Sequence, residues 1–176
     1  MLSEEKETLA ALRQAIQLEV EGKEYYLKAS RESGNDFGRK LLETLAQEED
    51  SHRARFELIF DAVRQKKGWR IAGFDGGKKL KALFDDVLGS QETKLTIKPG
   101  GTEVEAVEFA IGLENKTYDF YKAESGKTGY AALCEFYQAL MVEENRHRLA
   151  LLDYLEYLKN PAGWFVAKEH PSLDGA

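Results

Sequence analysis

A chain of 176 residues with 43% apolar content can form one domain with a sizeable core and requires no second. Its formal charge of -6, with only the short solvated basic stretches at 64–67 and 78–81, argues against nucleic acid or an anionic membrane as partner. The single cysteine, Cys134, excludes a disulfide framework and any four-cysteine zinc or iron site within the chain. The acidic, polar start is unlike a signal peptide and no uncharged apolar run is long enough to span a bilayer, so the expected location is cytoplasmic.

Ser3, followed by three glutamates within four residues, suits a helix start, where anions meet the positive end of the helix dipole. The first helix is expected to run to about Gly34, with Leu12, Ile16, Glu19, Tyr26 and Ser30 along its inner face and Lys23 out of pattern. Asn35 or Asp36 can cap the second, whose inner row is Leu42, Leu45, Glu49, His52, Phe56, Ile59 and Val63. The steps along that row alternate 3 and 4, as in a helix packed in a bundle, and its two polar members are a Glu-x-x-His pair.

From about residue 66 to 101 the pattern weakens and glycines mark turns. Residues 79–88 read as a short amphipathic helix and 95–97 as a brief extended piece. A crossover of this length between two helical hairpins lets the second and third long helices lie parallel in a four-helix bundle.

Thr102 with Glu105 forms a capping box for the third long helix, whose inner row is Val104, Val107, Ile111, Glu114, Tyr118 and Tyr121. Gly126 stops it and Thr128 can cap the fourth. There Leu133, Tyr137, Leu140, Glu144, His147, Leu151, Tyr154 and Leu158 repeat the row with a second Glu-x-x-His at its centre. Asn160-Pro161 ends that helix, because proline disfavours helical geometry in the residue before it. The bundle therefore covers 1–160, and 161–176 read as an irregular tail anchored by Trp164 and Phe165 on the bundle or on a second subunit, with His170 exposed.

The two halves are a duplication. An offset of 95 residues carries Glu19 and Tyr26 onto Glu114 and Tyr121, and Glu48, Glu49, His52 and Arg53 onto Glu143, Glu144, His147 and Arg148. Glu19 and Glu49 each lie 15 residues from Gly34, and Glu114 and Glu144 each lie 15 from Gly129, so each antiparallel hairpin brings its two glutamates level. Glu19, Glu49, His52, Glu114, Glu144 and His147 can then meet in one layer. Four carboxylates in an apolar interior repel one another, and two divalent cations neutralise them, with Glu oxygen and His nitrogen as ligands. Surface glutamates would require all four helices to break their apolar rows at one level by accident.

One Glu from each of two helices and Glu-x-x-His from each of the others is the ligand pattern of ferritin-like di-iron and di-manganese carboxylate proteins. Glu19 with Tyr26, Glu114 with Tyr121, and the motifs Glu49-Asp50-Ser51-His52 and Glu144-Asn145-Arg146-His147 resemble the rubrerythrin group over about residues 9–158. The resemblance implies an all-α ferritin-like fold in which Glu49 and Glu144 bridge two metal ions, Glu19 and Glu114 are terminal ligands, His52 and His147 supply nitrogen, and Tyr26 and Tyr121 hydrogen-bond ligand carboxylates. No catalytic group beyond the ligands is implied. The chain departs from the family at Thr117, where rubrerythrins typically carry a further glutamate, and in lacking the four cysteines of a rubredoxin-like domain.

The implied activity is that of a di-iron oxidoreductase reducing hydrogen peroxide or dioxygen, supplied with electrons by a separate donor such as a rubredoxin-like protein. The alternative is sequestration of iron, manganese or zinc at the same site without turnover. A third reading makes the bundle a structural or interaction surface. Homodimerisation fits each of them.

Overall fold

The computed structural model describes residues 3–68, 77–89 and 101–169. Among them are six helices: α1 (Ser3–Glu32), α2 (Asp36–Arg64), α3 (Lys78–Gly89), α4 (Gly101–Ser125), α5 (Ala131–Lys159) and α6 (Pro161–Glu169). The expected extended piece at 95–97 and His170 lie outside the described residues.

α1 and α2 form one antiparallel hairpin and α4 and α5 the other, with α1 against α4 and α2 against α5. The inner rows create two apolar clusters. One contains Phe37, Leu41, Leu45, Val107, Leu151, Tyr154 and Tyr157, and the other Leu12, Phe56, Ile59, Leu133, Phe136, Tyr137 and Leu140. α2 and α4 both run from the first cluster to the second, so they are parallel, as the long crossover requires; α1 and α5 run the other way. Each long helix crosses from one cluster to the other through its interrupting glutamate.

Local chemistry fixes the ends. Asn35 is extended (φ -140°, ψ 155°) and its side chain accepts from the Gly38 amide at 2.8 Å, capping α2. A Cβ at Gly38 would overlap Tyr154 Oη and Ser33 Oγ, so this position must be glycine for the α1–α2 turn to close on α5. Asn35 Nδ2 donates to Tyr154 Oη at 2.7 Å, and the Ser33 and Tyr154 hydroxyls donate to Glu103 at 2.6 and 2.7 Å, tying the turn to the start of α4. At the other end of α2, Lys66 N–H reaches Val63 O and Lys67 N–H reaches Ala62 O, a Schellman turn with Lys66 at φ +55°. The left-handed residue is thus Lys66, not the glycine two positions later.

Three expectations are corrected. Thr128 does not cap α5: Tyr130 is the N-cap, and the Thr128 hydroxyl instead accepts from the Tyr130 amide at 3.3 Å. α4 begins at Gly101, which puts Thr102 inside the first turn instead of at its cap. The tail is not irregular over 161–169. Asn160 ends α5 and starts α6 at once, accepting from the Gly163 amide at 3.1 Å, with Pro161 at the first helical position where its missing N–H costs nothing. Trp164 and Phe165 are buried on the bundle against Tyr157, with Trp164 Nε1 donating to Asp153 at 2.8 Å. α3 closes the same end through Leu80, Val87 and the edge-to-face contact of Phe84 with Phe37.

Candidate metal centre

Between the two apolar clusters lies a layer of buried ionisable side chains: Glu19, Glu49, His52, Glu114, Glu144 and His147 are each at most 4% exposed. All six residues expected from the sequence are brought together. Their donor atoms fall into two overlapping sets, Glu19, Glu49, His52 and Glu144, and Glu49, Glu114, Glu144 and His147, with the atoms of each within 4.8 Å of one another. Glu49 and Glu144 belong to both.

The histidines lie nearly parallel, with ring centroids 5.6 Å apart. His52 Nδ1 is 3.4 Å from Glu19 Oε2 and 3.5 Å from Glu144 Oε1; His147 Nδ1 is 3.1 Å from Glu49 Oε1 and 3.6 Å from Glu114 Oε2. The surrounding contacts cross between the halves. Tyr26 of α1 donates to Glu114 Oε1 of α4, and Tyr121 of α4 donates to Glu19 Oε1 of α1. Likewise Glu48 Oε2 of α2 meets His147 Nε2 of α5 at 2.8 Å.

Glu48 and Glu143, both buried, were not singled out as site residues from the sequence. The signal existed, since the offset of 95 carries one onto the other beside the ligands, but it gives no indication that Glu48 reaches His147. Glu143 accepts from Arg146 Nη1.

The electrostatics are those of ionisable groups confined away from water. Burial drives Glu19 up to about 7 and, with the charge of neighbouring carboxylates, holds Glu49 and Glu144 well above the ordinary carboxylate range. Burial acts on Glu114 in the same sense, but the facing His147 outweighs it and Glu114 ends below that range. His52 is pushed down to about 4 by burial. Burial would lower His147 too, yet Glu114, Glu48 and Glu49 hold it well above the usual imidazole range. Burial and adjacent carboxylates raise Tyr26 and Tyr121 well above 10, so both remain donors at neutral pH.

Glu19 Oε2, Glu49 Oε1, Glu114 Oε2 and Glu144 Oε1 are buried without a hydrogen bond from the protein. Such atoms cost free energy unless something pairs with them, and these four all belong to the two donor sets. The donor chemistry, oxygen-rich with one nitrogen per set, therefore fits a pair of divalent transition-metal ions.

Beside the layer, between α1 and α4, is a void of about 20 Å3 lined by Leu18, Gly22, Tyr26, Glu49, Glu114, Thr117 and Glu144 among others. That is room for one molecule the size of water. Gly22 keeps it open: a Cβ there would come within 3.3 Å of Glu49 Oε2. Thr117 turns its hydroxyl to Leu113 O at 3.2 Å.

The rubrerythrin family model matches residues 10–155 of the chain. No curated protein and no solved structure matches it significantly. Among the described residues, no helix is long and apolar enough to cross a membrane.

Proposed function

Because the chain belongs to the rubrerythrin family, we propose that it binds two iron ions and uses them to reduce hydrogen peroxide or dioxygen. The observation that carries this reading is the pair of overlapping donor sets sharing Glu49 and Glu144. A pair of ferrous ions supplies two one-electron equivalents, enough to take peroxide to water or dioxygen to peroxide.

The protein's own part follows from the hydrogen bonds. Tyr26 and Tyr121 each occupy one oxygen of a terminal glutamate, which leaves Oε2 of Glu114 and of Glu19 directed at the centre. Glu48 at His147 Nε2 selects the tautomer that carries its proton there, so Nδ1 offers a lone pair to the ion. Glu19, Glu49, His52 and Glu114 with His147 and Glu144 would hold the two ions, Glu49 and Glu144 between them. A larger cavity of about 350 Å3, lined by Glu114, Tyr118, Asp119, Glu144, Asn145 and Arg148 among others, gives a peroxide or dioxygen molecule a way to the layer. With one cysteine, the chain has no four-cysteine iron site of its own, so electrons come from a separate protein or small reductant. A homodimer in the cytoplasm completes the reading.

The test is an anaerobic titration of the metal-free protein with Fe(II), followed by stopped-flow mixing with each oxidant. Two ions bound per chain and rapid oxidation of the iron are expected, and the faster oxidant identifies the substrate. Two ions bound but inert to both oxidants would leave sequestration of iron, manganese or zinc as the function. The observation favouring that second reading is Thr117, whose hydroxyl is spent on the helix backbone where the family carries a further carboxylate.

A further inference from the structure

The six ligand types are duplicated faithfully; the groups behind the histidines are not. Glu48 meets His147 Nε2 at 2.8 Å, and the 95-residue offset makes the buried Glu143 its counterpart in the other half, on the side of His52. Three residues after Glu143 is Arg146, which donates from Nη1 to Glu143 Oε1. Three residues after Glu48 is Ser51, exposed, with its hydroxyl donating to Gln47 O at 3.1 Å. Glu48 keeps Oε1 buried without a hydrogen bond and commits Oε2 to His147. Glu48 thus turns a carboxylate oxygen to its histidine, whereas Glu143 turns one to the guanidinium of Arg146, whose side chain is 37% exposed.

The start of α3 lies beside Arg146. Gly77, at φ +72° where α3 begins, sits against its stem, close enough that a Cβ would approach Arg146 Cδ to 3.1 Å.

We propose that Arg146 is a positioning residue that makes the two ion positions unequal: the His147 position fills first and tightly, and the His52 position second and more weakly. This rests on the dinuclear reading above. Two effects act in one direction. A carboxylate neutralised by arginine is a poorer acceptor for the outer nitrogen proton of its histidine, which makes that imidazole a weaker ligand. The guanidinium also adds positive charge on the side where a cation must be stabilised.

The experiment titrates Co(II) into the full-length metal-free protein, following ligand-field absorption and heat to obtain two stepwise affinities. Arg146→Ser, which copies position 51, should tighten the weaker step about tenfold or more, leaving the stronger step in place. Arg146→Lys should retain the wild-type gap. The reciprocal Ser51→Arg should weaken the stronger step by a similar factor, so overall affinity rises in one variant and falls in the other. Ser51 is exposed, so this variant carries the test even if Arg146→Ser fails to fold. A wild-type protein binding two ions with a gap that neither Arg146→Ser nor Ser51→Arg alters overturns the inference and leaves the dinuclear reading intact. Fewer than two ions bound by the wild type overturns both.

Discussion

The hairpin α1–α2 and the hairpin α4–α5 carry the same ligand residues at the same spacing, but they are not copies in their surroundings. Gly22, Lys23, Asp50 and Ser51 in the first correspond to Thr117, Tyr118, Asn145 and Arg146 in the second. Lys23 makes a 2.7 Å ion pair with Asp50, and their counterparts Tyr118 and Asn145 carry no charge with which to do so. The difference separates two kinds of constraint. Residues whose donor atoms must converge on a cation keep type and register in both halves, whereas their neighbours are free to make the two sides electrostatically different.

The most disruptive way to probe the symmetry is to remove a residue common to both donor sets. Glu49→Ala or Glu144→Ala is expected to lower affinity for both ions more than about 100-fold, whereas Glu19→Ala should spare one ion; metal content after equilibrium dialysis decides. Unchanged metal content and melting temperature in the first two variants would point instead to a structural role for the bundle. Next come the crossed tyrosines. Tyr26→Phe strips a donor from Glu114 and Tyr121→Phe from Glu19, so each variant should weaken the ion position on the other half by about 10–100-fold, resolvable by stepwise Co(II) titration.

Smaller effects test places where the halves differ without touching the ions. Gly38 corresponds to Leu133, and a Cβ at Gly38 would meet the Tyr154 hydroxyl. Gly38→Ala should destabilise the protein by about 1–3 kcal/mol through overpacking against Tyr154, measured by urea unfolding, with metal stoichiometry retained.

The gentlest probe is pH, because the two histidines are perturbed in opposite directions. In the metal-free protein Glu19, Glu49, Glu144 and His147 are all raised, so their contribution to stability is complete below their unfolded values and is lost as pH climbs through the folded ones, about 7 for Glu19. His52, pushed down to about 4, opposes this only below its ordinary value of 6.5. From about pH 6.5 to about pH 8 the melting temperature of chelator-treated protein should therefore fall, by roughly 2–4 °C for each kcal/mol lost. Divalent metal should abolish the fall. A melting temperature that rises over this interval without metal would contradict the assigned electrostatics.

Much of this was legible in the chain. The alternating 3 and 4 steps located the long helices, and a polar interruption in each apolar row located the layer, because burying a carboxylate is costly enough to leave a recognisable pattern. The spacing from Gly34 and Gly129 placed the glutamates level. Spacing along a helix sets height but not which neighbour stands across, so the crossing of Tyr26, Tyr121 and Glu48 to the opposite half could not be read. α6 is hidden for a different reason: Asn160-Pro161 is both a stop and a start, and proline after a helix signals the stop more strongly. Arg146 escaped because an arginine on a helix surface is ordinary until the carboxylate it contacts is seen to be buried.

The exchange of hydrogen bonds between hairpins bears on how the candidate metal centre is completed. Neither hairpin contains both a terminal glutamate and the tyrosine that orients it, and His147 receives its carboxylate from α2. A nascent chain with one hairpin formed thus has acids but no finished chelator, and capture of the ions awaits docking of the two. On the dinuclear reading proposed above, a redox-active metal would thereby be kept from any half-built form in which water and oxidants have unguarded access to it.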